Sequence, residues 1–178
     1  MRSNKFITVS LILVLTIVLS SAAVFAEEVE EITYSSVVTA NPLGVLFGLF
    51  NASYEQPLHF STSYQVGGSF YSYEIGDLKW SGFGVDGSYR MYADQALNGL
   101  YYGPVAGLSS SSIEDSFEKE SGLSFRVGGV AGRQWIMGDG FAIDLNLGAV
   151  YSISNVELDG ETVSGFSPTL RLNIGYAW

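Results

Sequence analysis

The sequence predicts an all-β protein, an eight-stranded antiparallel up-and-down transmembrane β-barrel, and three observations predict it. First, 47% of the residues are hydrophobic and only 15% are charged, whereas soluble domains carry about 25% charged residues. Second, beyond residue 26 the apolar residues alternate with polar or small ones in short stretches, which is the period of a strand with one apolar face. Third, these stretches group into an even number of strands, as in single-chain bacterial membrane barrels.

The N-terminus has the three parts of a secretory signal peptide. Arg2 and Lys5 form a positive region, Phe6 to Leu19 is apolar, and Val24-Phe25-Ala26 places small residues where a signal peptidase reads. We therefore predict a signal peptide over residues 1–26 and a mature chain that begins at Glu27. An uncleaved membrane anchor is the alternative, because Phe6 to Ala26 is nearly long enough to span a bilayer.

Charge and composition exclude several classes of function. Loss of Arg2 and Lys5 would leave 6 basic residues against 18 acidic ones, a net charge of −12. Such a balance disfavours nucleic acid as a partner. The chain has no Cys and only one His, His59, so we expect neither a disulfide framework nor a metal site, and no cofactor.

The mature chain divides into an acidic periplasmic lead-in, residues 27–33, and a barrel over residues 34–178. Alternating stretches separated by turn residues predict the strands. The predicted strands are 34–45, 48–56, 59–73, 79–92, 99–109, 121–136, 140–155 and 164–178.

The alternation is clearest in the seventh predicted strand, where Phe141, Ile143, Leu145 and Leu147 lie opposite Asp144 and other polar residues. The fifth strand is ambiguous, because Tyr101 and Tyr102 compete for the apolar face. The last strand alternates throughout and has one apolar face, which is formed by Leu170, Leu172, Ile174, Tyr176 and Trp178.

Connections of two lengths separate these strands. Outer-membrane barrels keep short turns in the periplasm and long loops outside. If the last strand ends in the periplasm and strand directions alternate, the strand that ends at Glu55 runs inward. An outward first strand must then precede it, and we predict this strand at Tyr34 to Val45, followed by a tight hairpin near Leu46-Phe47-Gly48. Asp159-Gly160 is a two-residue hairpin signal, which predicts that the last hairpin projects beyond the membrane. The predicted short turns are Gln56–Leu58, Ala93–Asn98 and Met137–Gly140, and the longer polar connections are Glu74–Leu78, Ser110–Glu120 and Asn155–Gly165.

The polar face decides between a membrane barrel and a soluble one of the lipocalin kind. A solvated outer face would be rich in Lys, Glu and Arg, but here it is mostly Ser, Gly, Asn and Gln. Small polar residues suit the narrow interior of an eight-stranded barrel, so we place the apolar face in lipid. Aromatic residues near the strand ends predict two interfacial girdles. These are Phe70, Tyr71, Tyr73 and Trp80 at the outer end, and Tyr54, Trp135, Phe141, Tyr176 and Trp178 at the inner end.

Short sequence blocks carry a resemblance to a known family. Asn41-Pro42-Leu43 and Asn51-Ala52-Ser53-Tyr54-Glu55 resemble the start of a family of small outer-membrane barrels of uncharacterised function, and the residues from Gly99 to Pro104 and from Arg171 to Tyr176 are similar to later blocks. The resemblance covers about Tyr34 to Trp178, and the architecture is similar to that of OmpA, OmpX and OmpW-type barrels. It implies no catalytic residues. It also implies that the barrel-assembly machinery recognises the terminal strand, through Leu172, Ile174, Tyr176 and Trp178, with Trp178 in the place usually held by Phe.

Six charged residues fall on the predicted inward face: Glu55, Asp86, Arg90, Arg126, Asp144 and Arg171. Unpaired charges there would be costly, so we expect ion pairs and hydrogen bonds that cross the lumen. A polar network that holds the barrel rigid is the interpretation favoured by the narrow bore. A narrow ion or solute channel gated by those pairs is the alternative.

His59 and Ser61 share one face of a strand, and Glu55 lies across the predicted turn. The pair is similar to that of outer-membrane lipid A deacylases, in which a Ser nucleophile, a His base and an acid cleave an ester. A lipid A-modifying enzyme is therefore a second alternative. Against it, the pair is predicted at the periplasmic turn, whereas such an enzyme meets lipid in the outer leaflet.

The sequence thus predicts a non-enzymatic protein of the bacterial outer membrane with a structural or surface-interaction role. We expect a monomer whose partners are outer-membrane lipids or lipopolysaccharide. The predicted Ser109–Ser121 loop, which carries Glu114, Asp115, Glu118 and Glu120 against Lys119, is either a solvated loop or a surface that contacts lipopolysaccharide through divalent cations.

Overall fold

Eight antiparallel strands close into a barrel in which every strand pairs with its neighbours in sequence and β1 pairs with β8. The computed structural model describes residues 34–75, 78–114, 119–158 and 161–178. The predicted signal peptide and lead-in, residues 1–33, lie outside the described residues and stay predictions. The strands are β1 Val37–Ala40, β2 Leu49–His59, β3 Thr62–Ile75, β4 Leu78–Tyr92, β5 Gly99–Glu114, β6 Lys119–Ile136, β7 Phe141–Leu158 and β8 Glu161–Ala177. The predicted eight-stranded up-and-down barrel is confirmed.

We name the two ends of the barrel by the position of the C-terminus. At the terminal end, the backbone N–H of Ser35 donates to the carbonyl of Trp178 at 2.6 Å, and that of Trp178 donates to Ser36 at 3.1 Å. The turns β2–β3, β4–β5 and β6–β7 lie at this end, and the opposite ends of the strands form what we call the distal end. Among the described residues, no helix has the length and hydropathy needed to cross a membrane.

The apolar faces point outward, as predicted. Val66, Phe83 and Leu147 are about half exposed, and so are most of the large apolar residues with the same strand parity. Polar residues on the opposite faces, such as Gln65 and Asn146, are buried in the lumen. The ambiguity in β5 is resolved, because Tyr102 is exposed on the outside and Tyr101 is buried inside.

The first strand was predicted too long. β1 ends at Ala40, and Pro42–Val45 form one helical turn, α1, in place of a continued strand and a tight hairpin. Asn41 caps this turn by accepting a hydrogen bond from the Gly44 N–H at 2.9 Å, and Pro42 occupies the first helical position, where its missing N–H is no loss. The apolar residues after Asn41 fit a strand, but this start signal overrides them.

The first terminal turn was also misplaced. Gln56, Pro57 and Leu58 belong to β2, and the chain reverses at Phe60-Ser61. Pro57 is tolerated because it lies beyond the β1–β2 ladder, which ends at the pair Val37 and Glu55, and next to a register shift. Proline is accepted at such strand edges and bulges.

The long distal loops were predicted too long, because strands continue through most of them. β5 runs to Glu114 and β6 starts at Lys119, so the predicted Ser109–Ser121 loop is mostly strand, and residues 115–118 lie outside the described residues. The predicted Asp159-Gly160 turn lies outside them too, although Leu158 pairs with Glu161 on either side. Polar strand residues at the distal end resemble loop residues, because nothing in their composition indicates strand pairing.

Part of the predicted outer aromatic girdle is wrong. Phe70 is exposed on the outer face. Tyr71, Tyr73 and Trp80 instead share strand parity with luminal residues such as Gln65, and Tyr73 stacks on Trp80 with centroids 6.2 Å apart. These rings therefore line the distal mouth. At the terminal end Trp178 does lie against another aromatic residue, Tyr54, at 6.5 Å.

Candidate functional site

The lower lumen is organised around Arg90 on β4, whose side chain is 2% exposed. One guanidinium nitrogen donates to Glu55 on β2 at 2.9 Å, and the other donates to Asp144 on β7 at 2.9 Å. The second nitrogen also donates to the Gln65 side-chain oxygen at 2.8 Å. A single cation thus connects three other strands across the bore.

Neutral donors saturate the two carboxylates. Glu55 accepts hydrogen bonds from Ser63 at 2.5 Å and from Tyr92 at 2.6 Å. Asp144 accepts one from Tyr101 at 2.6 Å, and the Tyr101 ring lies 4.1 Å from the Arg90 guanidinium carbon. We call these residues the Arg90 cluster: Arg90, Glu55, Asp144, Gln65, Ser63, Tyr92 and Tyr101. Buried charges persist only when they are paired and hydrogen-bonded in this way.

The terminal mouth is closed beneath the Arg90 cluster by the β4–β5 turn. Leu97 in this turn is buried with Val37, Ala142 and Ala177. Its φ of 73° lies in the left-handed region, which costs a branched residue about 1–2 kcal/mol. Gln134 stabilises the turn by donating to the Leu97 carbonyl at 2.7 Å. An apolar plug and a buried ion-pair layer therefore block the bore in series.

A second cluster lies nearer the distal end and consists of Asp86, Arg126 and Arg171. Arg126 donates to Asp86 at 2.8 Å, and Arg171 donates to the same oxygen at 3.3 Å. Gly107 lies between Asp86 and Arg126 in the register. A Cβ there would come within 3.0 Å of both side chains, so glycine lets this pair meet across β5. We call these three residues the Asp86 cluster.

The two clusters differ in charge and in access to water. The Arg90 cluster holds one cation and two anions, and its charged side chains are almost fully buried. The Asp86 cluster holds two cations and one anion, and its arginine side chains are 25% and 33% exposed. Water therefore reaches the distal half of the lumen and is excluded from the terminal half.

All six predicted luminal charges lie inside the barrel, but the structure brings them together as two clusters and not as one network. Sequence reasoning missed the neutral members Gln65, Ser63, Tyr92 and Tyr101. Gln65 and Ser63 lie on the predicted inward face, so alternation alone could have identified them. Tyr101 could not be assigned to the inward face because the direction of alternation in the fifth predicted strand is ambiguous.

The predicted assembly residues share the outer face of β8 near its end. Ile174, Tyr176 and Trp178 are exposed, and Leu172 is partly buried. No described contact bears on their recognition by other proteins, so that role stays a prediction.

The residues of the enzyme hypothesis do not assemble. His59 ends β2 and Ser61 lies in the following turn, at the terminal end. Glu55, the acid expected to orient the histidine, is buried and is bonded to Ser63, Tyr92 and Arg90 instead. Within the described ranges, no group of three or more His, Cys, Asp or Glu side chains could hold a metal ion.

The chain matches one family model and is similar in structure to one solved outer-membrane protein. A family model described as "Protein of unknown function (DUF3575)" matches residues 9–158. The crystal structure of Ail, the attachment invasion locus protein of Yersinia pestis, is similar with a TM-score of 0.50 and 14% sequence identity, and the match covers 83% of this chain and 100% of that chain. At this identity the likeness concerns the fold alone. No curated protein matches the chain. The resemblance to eight-stranded barrels of an uncharacterised family is confirmed.

Proposed function

We propose that this chain, which belongs to the family of proteins of unknown function DUF3575, is a non-enzymatic outer-membrane barrel with a structural or surface-interaction role. One observation carries the proposal: an apolar outer wall encloses a lumen that is blocked at its terminal end. The wall suits hydrocarbon, and the blocked lumen leaves the outer surfaces to interact with other molecules.

The outer wall has the chemistry of a lipid-facing surface. Large apolar side chains from all eight strands are exposed on it, among them Val38, Phe50, Leu108, Leu123 and Leu170. A soluble protein seldom exposes such a continuous apolar area. Closure through the β1–β8 pairing also leaves no free sheet edge at the terminal end, as a bilayer requires.

The long strands support a role at the cell surface. A tilted strand crosses a bilayer with about 9–11 residues, whereas β5 to β8 have 16, 18, 18 and 17 residues. Their distal ends therefore extend beyond the apolar belt. With the short turns in the periplasm, these hairpins project outward, where lipopolysaccharide is the nearest partner. Ail, the attachment invasion locus protein of Yersinia pestis, is a similar barrel.

The blocked terminal end of the lumen disfavours the channel hypothesis. An ion crossing the lumen would have to displace both Leu97 and the Arg90 cluster. The His59 and Ser61 hypothesis is disfavoured by the position of Glu55, described above. The terminal strand, from Leu172 to Trp178, remains our proposed contact for the assembly machinery, and we propose that the barrel acts as a monomer.

Topology can be tested directly, because the chain has no Cys. We would introduce Glu74→Cys at the distal end and Asp139→Cys in a terminal turn, and treat intact cells with a membrane-impermeant maleimide. Both residues are exposed, so unequal labelling would report the side of the membrane. We expect label on the Glu74 variant alone, and on both variants after the outer membrane is permeabilised. Labelling of Asp139→Cys alone in intact cells would refute the orientation, and equal partition of both variants into the soluble fraction would refute the compartment.

A conductance measurement separates the blocked barrel from the channel. We expect no discrete current steps from the purified protein in planar bilayers. A paired variant, Leu97→Gly with Arg90→Ala, removes both barriers and should conduct, which shows that the assay detects this barrel. Steps from the unaltered protein would instead favour the channel.

A further inference from the structure

We infer that the distal lumen binds an oxyanion of the phosphate class between Arg126, Arg171 and Arg90. A cavity of about 30 Å³ lies between the two clusters, with Asp86, Arg90, Arg126 and Arg171 as its charged lining residues. Arg126 and Arg171 thus outnumber Asp86 in this cavity, and Arg90, whose charge is already paired with Glu55 and Asp144, adds its guanidinium to the lining. The cavity has room for about two waters or one small anionic group.

The cavity walls hold hydrogen-bonding groups that lack partners. Within the described residues, the Nε atoms of Arg90 and Arg126 and the hydroxyls of Ser88 and Thr169 are buried without a hydrogen-bond partner. All four residues line the cavity. Arg90 itself is 2% exposed, so its free Nε–H is a fully buried donor. Such groups destabilise the fold when they are left unsatisfied, and an anion with several oxygens would satisfy them together.

The chemistry favours an oxyanion over a simple halide. Arginine presents a planar fork of donors that matches two oxygens of one phosphate or carboxylate, and hydroxyl groups add further donors. Asp86 is the competitor, since it now accepts from both Arg126 and Arg171. Its carboxylate holds these arginines in place but also lowers their affinity for a second anion. The partial exposure of both arginines provides access from the distal side.

Two sources could supply such a group. One is free phosphate, which would enter through the distal mouth. The other is the phosphate of a lipid head group, because among the described residues no strand pairs with β8 on its β1 side from Glu161 to Asn173. α1 contacts β8, but in that part of the chain no strand ladder closes the wall beside Thr169 and Arg171.

The test is the thermal unfolding of the purified barrel in detergent, with inorganic phosphate, with chloride at matched ionic strength, or with phosphatidic acid in the micelles. We expect phosphate or phosphatidic acid, but not chloride, to raise the unfolding temperature with saturation. A response to inorganic phosphate identifies a free anion, and a response to phosphatidic acid alone identifies a lipid head group.

Variants make the test specific. Arg126→Gln and Arg171→Gln should each weaken binding about ten- to hundredfold, since each removes a charge-assisted hydrogen bond. Asp86→Asn should strengthen binding by at least about tenfold, since it removes the competing charge. Arg133→Gln is the matched control, because Arg133 lies on the outer face beside Trp135 and should leave affinity unchanged.

The opposite sign expected for Asp86→Asn separates binding from stability. A purely structural cluster predicts that all three luminal variants unfold more easily and that none changes the response to phosphate. That result, an equal response to chloride, or no response to either phosphate probe would overturn the inference. If a glutamine variant does not fold, Arg171→Lys keeps the charge without the planar fork and should still weaken binding.

Discussion

Arg90→Met is the substitution that most directly tests the Arg90 cluster. It removes the cation that, among the described residues, contacts both Glu55 and Asp144, whose side chains are 1% and 0% exposed. Methionine keeps much of the volume, so the effect is chiefly electrostatic. Removal of one partner from a buried ion pair costs about 3–5 kcal/mol, because the other charge stays buried without compensation.

Two opposing features set the magnitude for this barrel. Two carboxylates lose the same cation, which places the cost at the upper end of that range. The hydrogen bonds from Ser63 and Tyr92 to Glu55, and from Tyr101 to Asp144, remain and lower it. We therefore expect Arg90→Met to lower the free energy of unfolding by about 3–5 kcal/mol.

The assay is equilibrium unfolding in guanidinium chloride of barrel refolded into phospholipid vesicles, followed by tryptophan fluorescence. A triple variant with Glu55→Gln and Asp144→Asn in the Arg90→Met background removes the uncompensated charges and should recover most of the loss, because neutral replacement of a whole buried network is often nearly neutral. The control is Arg133→Met on the outer face. The reasoning fails if Arg90→Met lies within about 1 kcal/mol of the unaltered protein, the median contribution of an exposed pair, or if the triple variant is no more stable than the single one.

Three further predictions concern the wall and the termini. Leu147→Arg should destabilise the folded barrel in vesicles by about 2–4 kcal/mol, the cost of a cation in the lipid-facing band, while Asp139→Arg in a terminal turn should not; equal effects would place Leu147 outside the lipid. Trp178→Ala should lower the amount of folded barrel in cells, whereas refolded protein should lose only the Tyr54 contact, about 0.5–1.5 kcal/mol; an unchanged cellular yield would remove the assembly role. Mass spectrometry of protein from the outer-membrane fraction should find a chain that begins at Glu27, and an intact Met1 there would favour the uncleaved anchor.

Sequence could predict the strands and their faces because a lipid-facing wall repeats one simple pattern. In β7, Phe141, Leu145 and Leu147 alternate with Asp144 and Asn146, and the structure places the first set outside and the second inside. In a bilayer only helices and closed barrels satisfy every backbone group, so strands with this pattern imply a closed barrel if they lie in a membrane. The number of strands followed from the parity of the turns.

Sequence could not predict features that depend on a partner from a distant strand. Tyr101 and Tyr102 have the same apolar character. Of these two, Tyr101 points into the barrel, where its hydroxyl donates a hydrogen bond to Asp144 at 2.6 Å. Leu97 reads as an ordinary turn residue, yet it is buried with a left-handed φ because the turn folds back under the lumen. The distal strand ends are polar, so they resemble loops until their pairing is known.

α1 shows how the wall tolerates an irregular segment. Leu46 and Phe47 follow α1 in the connection to β2 and are among the most exposed apolar residues of the wall. This exposure fits a position against lipid or at its interface. Backbone groups in such a position need partners within the protein. Here Asn41 N–H donates to Asn51, Leu46 N–H to Leu43, Phe47 N–H to Gly44 and Gly48 N–H to Val45, so the segment supplies its own hydrogen bonds where the strand ladder stops.

The luminal charges also bear on strand register, and they add to the preference that the alternating faces already give. A slip of one residue moves every side chain of a strand to the other face. Glu55, Asp144 and Arg171 lie on three different strands, and each ends in an ion pair with β4. A slip in any of those strands would place its charge in lipid, at a cost of up to about 4 kcal/mol, and would leave its β4 partner buried and uncompensated. The Arg90 and Asp86 clusters therefore also favour the observed pairing of these strands over a pairing shifted by one residue.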